Sequence, residues 1–166
     1  MISTCFRPSQ NEASSKEESS TFVLQVSIRT RSLSEIRSLL AAREKSTTLK
    51  KTPKQHFEDI KKILLKAKEI DVDTNVYLED WSNGMKNSKN YVFDFIDFLS
   101  NQSVKRILLP DTLGVLTPSE TFLFVSEIIN KYPQTHFDFH AHNDYDLSVS
   151  NVIESLKAGC HGLHLT

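Results

Sequence analysis

One period runs along most of this chain. Segments that alternate like strands, or form short apolar strands, begin near residues 73, 105, 135 and 162, and helical stripes fall between them. A strand–helix unit of about 30 residues, repeated in register, implies parallel strands joined by right-handed helical crossovers. Two α/β architectures use that unit, the doubly wound sheet and the (β/α)8 barrel.

The helical segments carry their own start signals. Thr52-Pro53-Lys54-Gln55 opens one with a Thr cap, a Pro in the first turn and Gln at the capping-box position. Phe57, Ile60, Leu64 and Ala67 follow at helical spacing. Ser88 is placed to cap a second helix with the stripe Val92, Phe95, Ile96 and Leu99. Thr117-Pro118-Ser119-Glu120 repeats the Thr-Pro start, with the stripe Phe122, Val125, Ile128 and Ile129. Asn143 or Asp144 is predicted to cap a fourth helix carrying Val149, Val152, Ile153 and Leu156, which Gly159 stops. Between them lie the strand segments 73–79 (DTNVYLE), 105–110 (KRILLP), 135–140 (THFDFH) and 162–166 (GLHLT).

Residues 1–49 do not share this pattern. The first 50 residues hold eleven serines and no Asp or Gly, and carry eight Lys/Arg against five Glu. Residues 7–20 read as disordered, residues 22–28 as a strand and residues 34–43 as a short helix. The chain thus divides into a leader, 1–49, and a barrel-like domain, 50–166. The formal net charge of −1 offers no general footprint for nucleic acid or an acidic membrane. No apolar run reaches the roughly 18 residues of a membrane span, and the N-terminus lacks a secretory apolar stretch. Cys5 and Cys160 make neither a disulfide framework nor a zinc motif. A cytoplasmic setting is the expectation.

Polar clusters follow the strand ends, in EDWSNG, DTLG and HAHND. Strand ends are where ligands bind in both architectures. His140 and His142 are two apart, so on a strand both imidazoles face one side and can hold one cation. Glu79 and Asp80 end another strand, where a carboxylate can act as acid, base or hydrogen-bond acceptor. Asp111-Thr112 follows Pro110 at a third end. Asn143 and Asp144 can orient ligands or start the next helix. Trp81 reads as loop packing, Cys160 as a buried small residue, and His136, His161 and His164 as structural. No Gly-rich phosphate loop is present.

Three segments together, 77–85 (YLEDWSNGM), 109–121 (LPDTLGVLTPSET) and 139–151 (FHAHNDYDLSVSN), resemble one family. It is the 2-isopropylmalate, homocitrate and citramalate synthase family, whose pyruvate carboxyltransferase-type barrel is shared with hydroxymethylglutaryl-CoA lyase. The resemblance spans roughly residues 50–166 and implies a partial (β/α)8 barrel of about four units, from its C-terminal half. It implies a Claisen condensation of acetyl-CoA with a 2-oxo acid, assisted by Mn²⁺, Mg²⁺ or Zn²⁺, in an enzyme that is a homodimer when full-length. Overall likeness favours 2-isopropylmalate synthase, with 2-oxoisovalerate as substrate in leucine biosynthesis. The alternatives are a homocitrate or citramalate synthase, a related metal-dependent carbon–carbon lyase, or a non-catalytic fragment.

By motif position, His140 and His142 resemble the metal ligands and Glu79 the catalytic strand-end glutamate. Thr112 resembles the threonine that binds the oxo-acid carboxylate, with Asp111 and Asn143 beside the substrate. The family's early Arg-Asp pair, its late Gly-rich segment and its regulatory domain have no counterpart here. A truncated reading frame with an unrelated leader is therefore expected.

Overall fold

The computed structural model describes residues 25–28 and 53–165. The elements are β1 (Gln25–Ile28), α1 (Pro53–Glu69), β2 (Thr74–Tyr77), α2 (Trp81–Asn87), α3 (Lys89–Ser100), β3 (Val104–Asp111), α4 (Pro118–Lys131), β4 (Phe137–Ala141), α5 (Ser148–Lys157) and β5 (Gly162–Leu165). The predicted Thr52 cap and the 34–43 helix lie outside the described residues. Within the 22–28 segment, a strand is described over Gln25–Ile28.

The five strands form one sheet in the order β1-β2-β3-β4-β5. β1 pairs antiparallel with β2, and β2 to β5 are all parallel. Each new parallel strand is added on the same side of the last. A doubly wound sheet reverses its strand order at a switch point; these four strands do not. They are a segment of a (β/α)8 barrel.

Strand parity builds the two faces. Val76, Leu78, Ile107, Leu109, Phe137 and Phe139 are buried in the core with Ile60, Leu64, Val92, Phe95, Ile96, Leu99, Val125 and Ile128 from the helices. The alternate positions, Tyr77, His140 and His164 among them, share the other face. That face is concave: the Tyr77 hydroxyl lies 2.9 Å from His164 Nδ1. β2 and β5 are three strand spacings apart, roughly 14 Å measured along a sheet. Side chains from both reach each other only because the sheet curls toward this face, as a barrel wall does.

The local signals worked unevenly. Thr117 caps α4 with the full capping box expected, its hydroxyl accepting from the Glu120 N–H and the Glu120 carboxylate from the Thr117 N–H. All four expected α3 stripe residues are buried. On α4 the buried face is rotated: Thr121 joins Val125 and Ile128, while Phe122 is exposed.

The largest departure is α5. It begins at Ser148, not beside Asn143 or Asp144, and buries Asn151 and Ser155 while Val149, Ile153 and Leu156 are exposed. Asn151 is placed there by a bond, its Nδ2 donating to the Leu116 carbonyl at 2.8 Å. Of the four predicted residues only Val152 packs against the core, and Asn151 and Ser155 complete the buried face. Gly159 ends α5 at φ +96, the left-handed geometry a helix stop requires.

Candidate active site at the C-terminal ends of the parallel strands

His140 is the penultimate residue of β4, in register with Pro110 of β3 and His164 of β5. His142 lies one residue past the strand. Their rings meet at 87° with centroids 4.9 Å apart, and their Nε2 atoms are 3.1 Å apart. His140 Nδ1 faces the His164 carbonyl oxygen at 3.0 Å. A carbonyl only accepts, so Nδ1 carries the proton and Nε2 presents its lone pair. Burial, reinforced by the neighbouring His142, lowers the His140 pKa to about 4. The ring is therefore neutral near pH 7, the form that ligates metals.

Glu79 follows β2 and Thr112 follows β3. The Thr112 hydroxyl donates to Glu79 Oε2 at 3.1 Å and accepts from the Asp80 N–H at 2.9 Å. Burial raises the Glu79 pKa; the Thr112 hydrogen bond and the nearby His142 work against that rise, and Asp80 adds to it. Asp80 sits in the left-handed region at φ 59 and leads into α2. Its carboxyl is also raised by burial and accepts from Asn83 Nδ2 at 2.8 Å.

Asp111 and Asn143 bond to their own loops. Asp111 is fully buried, and its two carboxylate oxygens accept from the N–H groups of Val115 and Leu116 at 3.1 and 3.0 Å. Asn143 Oδ1 accepts from the Ser148 N–H at 3.2 Å and hydroxyl at 2.6 Å. Asn143 thus reaches the first turn of α5 from five residues upstream.

The loop after β3 also braces the loop after β4. Gly114, at φ +63, packs so closely that an added Cβ would lie 3.2 Å from the His142 carbonyl and 3.3 Å from the Asp144 nitrogen. His142 has left the ladder, so this contact is part of what fixes its backbone.

Sequence reasoning missed Tyr77 and His164 as site residues. Tyr77 meets His140 edge-on, centroids 6.1 Å apart, and His164 lies 5.6 Å from it. The signal was parity: Tyr77 is two residues before Glu79, and His164 sits opposite His140. Trp81, read as loop packing, is instead the first residue of α2 and wholly buried.

The HMGL-like family model matches residues 32–166. The chain belongs to the HMGL-like family. Among its relatives, homocitrate synthase subunit alpha of Clostridium pasteurianum is 31% identical over 113 residues, 68% of this chain and 40% of that protein. Homocitrate synthase of Sulfolobus acidocaldarius is 33% identical over 76 residues, 46% of this chain and 16% of that protein. That of Saccharolobus islandicus is 35% identical over 78 residues, 45% of this chain and 17% of that protein. This HMGL-like chain therefore spans at most two fifths of the length of these curated relatives. All three are homocitrate synthases by name, where the sequence reading expects 2-isopropylmalate synthase.

The histidine pair of this HMGL-like chain fits a cation in one checkable respect. Two imidazole nitrogens bound to one cation at about 2.1 Å lie about 3.0 Å apart at octahedral angles and about 3.4 Å apart at tetrahedral ones. His140 and His142 stand at 3.1 Å. The carbonyl behind His140 is the outer partner that metal-bound histidines use to fix their tautomer. Among the described residues no group of three or more His, Cys, Asp and Glu is arranged around one ion position. Among the described residues the pair therefore stands as two candidate ligands with no third beside them. Among the described residues no helix is long and apolar enough to cross a membrane.

Proposed function

We propose that this HMGL-like chain carries the strand-end site of a homocitrate synthase-type condensing enzyme, which joins acetyl-CoA to a 2-oxo acid. One observation carries the reading: two converging imidazoles and a half-buried, hydrogen-bonded Glu–Thr pair stand together where three neighbouring parallel strands end. Homocitrate synthases among the relatives supply the branch.

Each residue has a part. His140 and His142 hold the divalent cation, Mn²⁺ or Mg²⁺ or Zn²⁺. That cation, when bound, polarises the oxo-acid carbonyl as a Lewis acid. Glu79 faces the reacting carbons. Burial raises its proton affinity, which suits a group that handles the proton leaving the acetyl methyl. Thr112 holds Glu79 until the oxo acid binds, and then turns its single hydroxyl proton from Glu79 to the oxo-acid carboxylate. Asp111 and Asn143 keep the two neighbouring loops in place around the substrate, a matter of orientation.

The test follows free thiol. The purified chain is mixed with acetyl-CoA, Mn²⁺ or Mg²⁺, and either 2-oxoglutarate or 2-oxoisovalerate. Thiol release that needs 2-oxoglutarate supports the homocitrate reading, and release that needs 2-oxoisovalerate moves the chain to the 2-isopropylmalate branch. A folded chain that releases no thiol with either acid, alone or mixed with a separately made N-terminal barrel half of a homocitrate synthase, contradicts the reading.

A further inference from the structure

His140 depends on a carbonyl of the neighbouring strand. The His164 oxygen that accepts from His140 Nδ1 belongs to β5, a strand of four residues. Among the described strands, β5 has one ladder neighbour, β4. Its second tether is the hydrogen bond between the His164 ring and the Tyr77 hydroxyl, 2.9 Å long, from the far side of the concave face.

We infer that Tyr77 and His164 are positioning residues for His140, a strut from β2 to β5 that holds the His140 ring in one tautomer and one orientation. The inference rests on the reading of His140 as a metal ligand for its functional meaning, but not for its structural content. Three contacts converge on the claim. The Tyr77 ring stands edge-on to His140 at 82°. The His164 ring lies beside it. The His164 backbone oxygen fixes its Nδ1 proton. Remove the phenol oxygen and the two rings still pack, but β5 loses the bond that stops its carbonyl from drifting. His140 is then free to exchange its proton between the two ring nitrogens, and the Nε2–H tautomer points N–H at the ion position.

Outer partners of metal-bound histidines change affinity by roughly 10- to 100-fold when removed. Tyr77→Phe keeps the ring and deletes only the bond, so the lower end applies. The experiment uses the full chain, wild type and Tyr77→Phe, with His164→Gln as the conservative partner because its amide oxygen can still accept from the phenol. Two readouts are taken. Zn²⁺ alone is titrated by calorimetry. Separately, two-dimensional nitrogen–proton spectra of the metal-free histidine rings report the His140 tautomer. Expected are a single Nδ1–H tautomer in the wild type, a tautomer mixture in Tyr77→Phe, and roughly tenfold weaker Zn²⁺ binding there, with His164→Gln in between. An unchanged tautomer in a folded Tyr77→Phe chain overturns the inference. If His140→Ala leaves Zn²⁺ affinity untouched, the metal reading fails and the metal-free spectra still decide the strut.

Discussion

The Thr112 hydroxyl is bonded to Glu79 Oε2 at 3.1 Å, across the ends of two adjacent parallel strands. The Thr112 hydroxyl oxygen in turn accepts from the Asp80 N–H at 2.9 Å. One hydroxyl therefore satisfies a half-buried carboxylate and the backbone of the turn after it. Thr112→Val keeps the shape and removes both bonds. It is expected to cost about 1–3 kcal/mol by urea unfolding, and Thr112→Ser to restore most of the loss. Equal stability of the Val and Ser variants would show that the hydroxyl holds nothing.

Asp111 anchors the loop that carries Thr112. Its two oxygens satisfy two backbone N–H groups in a site with no solvent access. Asp111→Ala leaves both donors orphaned and should destabilise the chain by about 3 kcal/mol. Asp111→Asn keeps one acceptor oxygen and should lose less. The ordering Ala worse than Asn in a denaturant series checks the assignment.

Gly162 permits the layer below the site. A Cβ there would overlap the Asp138 carboxylate. Asp138 cannot easily yield, since Arg106 Nη1 and His136 Nε2 hold its two oxygens at 3.3 and 2.7 Å. Gly162→Ala is expected to destabilise by about 1–3 kcal/mol, as overpacking does. A thermal midpoint equal to wild type would show that the wall gives way freely.

Cys160 gives the chain a pH dependence outside the site. It is 7% exposed, its Sγ lies 3.2 Å from the Phe137 carbonyl, and burial pushes its pKa from 9.0 up to about 11. The raised pKa means the neutral thiol is favoured in the fold. That stability is complete below pH 9 and disappears as pH rises through 11, a loss of about 2 kcal/mol at pH 11. Cys160→Ala should lack this component, so the difference between the two stability curves should change by that amount over the window. Parallel curves would mean the thiol ionises as freely folded as unfolded.

Much of this molecule was legible in its residues. The 30-residue period and the Thr-Pro starts locate α4 and the parallel strands because they are local signals tied to backbone hydrogen bonding. The His-x-His spacing drew attention to His140 and His142, although β4 ends at Ala141 and strand parity does not place the His142 ring. Strand order did not, and only the observed succession of β2 to β5 separates a barrel wall from a doubly wound sheet. α5 misled for a physical reason: its apolar positions predict a buried stripe, yet the bond from Asn151 to the Leu116 carbonyl turns the polar side inward. Asp111 and Asn143 read as substrate groups, and carboxylates and amides at strand ends serve ligands and turns alike. Their partners, Val115, Leu116 and Ser148, decide which bonds they make. Tyr77 and His164 are 87 residues apart, and no local pattern links them.

The most direct test is calorimetric titration of Mn²⁺ or Zn²⁺ into the wild-type chain and the His140→Ala and His142→Ala variants, near neutral pH where His140 is uncharged. The account predicts one site per chain in the wild type and at least tenfold weaker binding in each variant. Equal affinity in all three, with the fold intact, would contradict it.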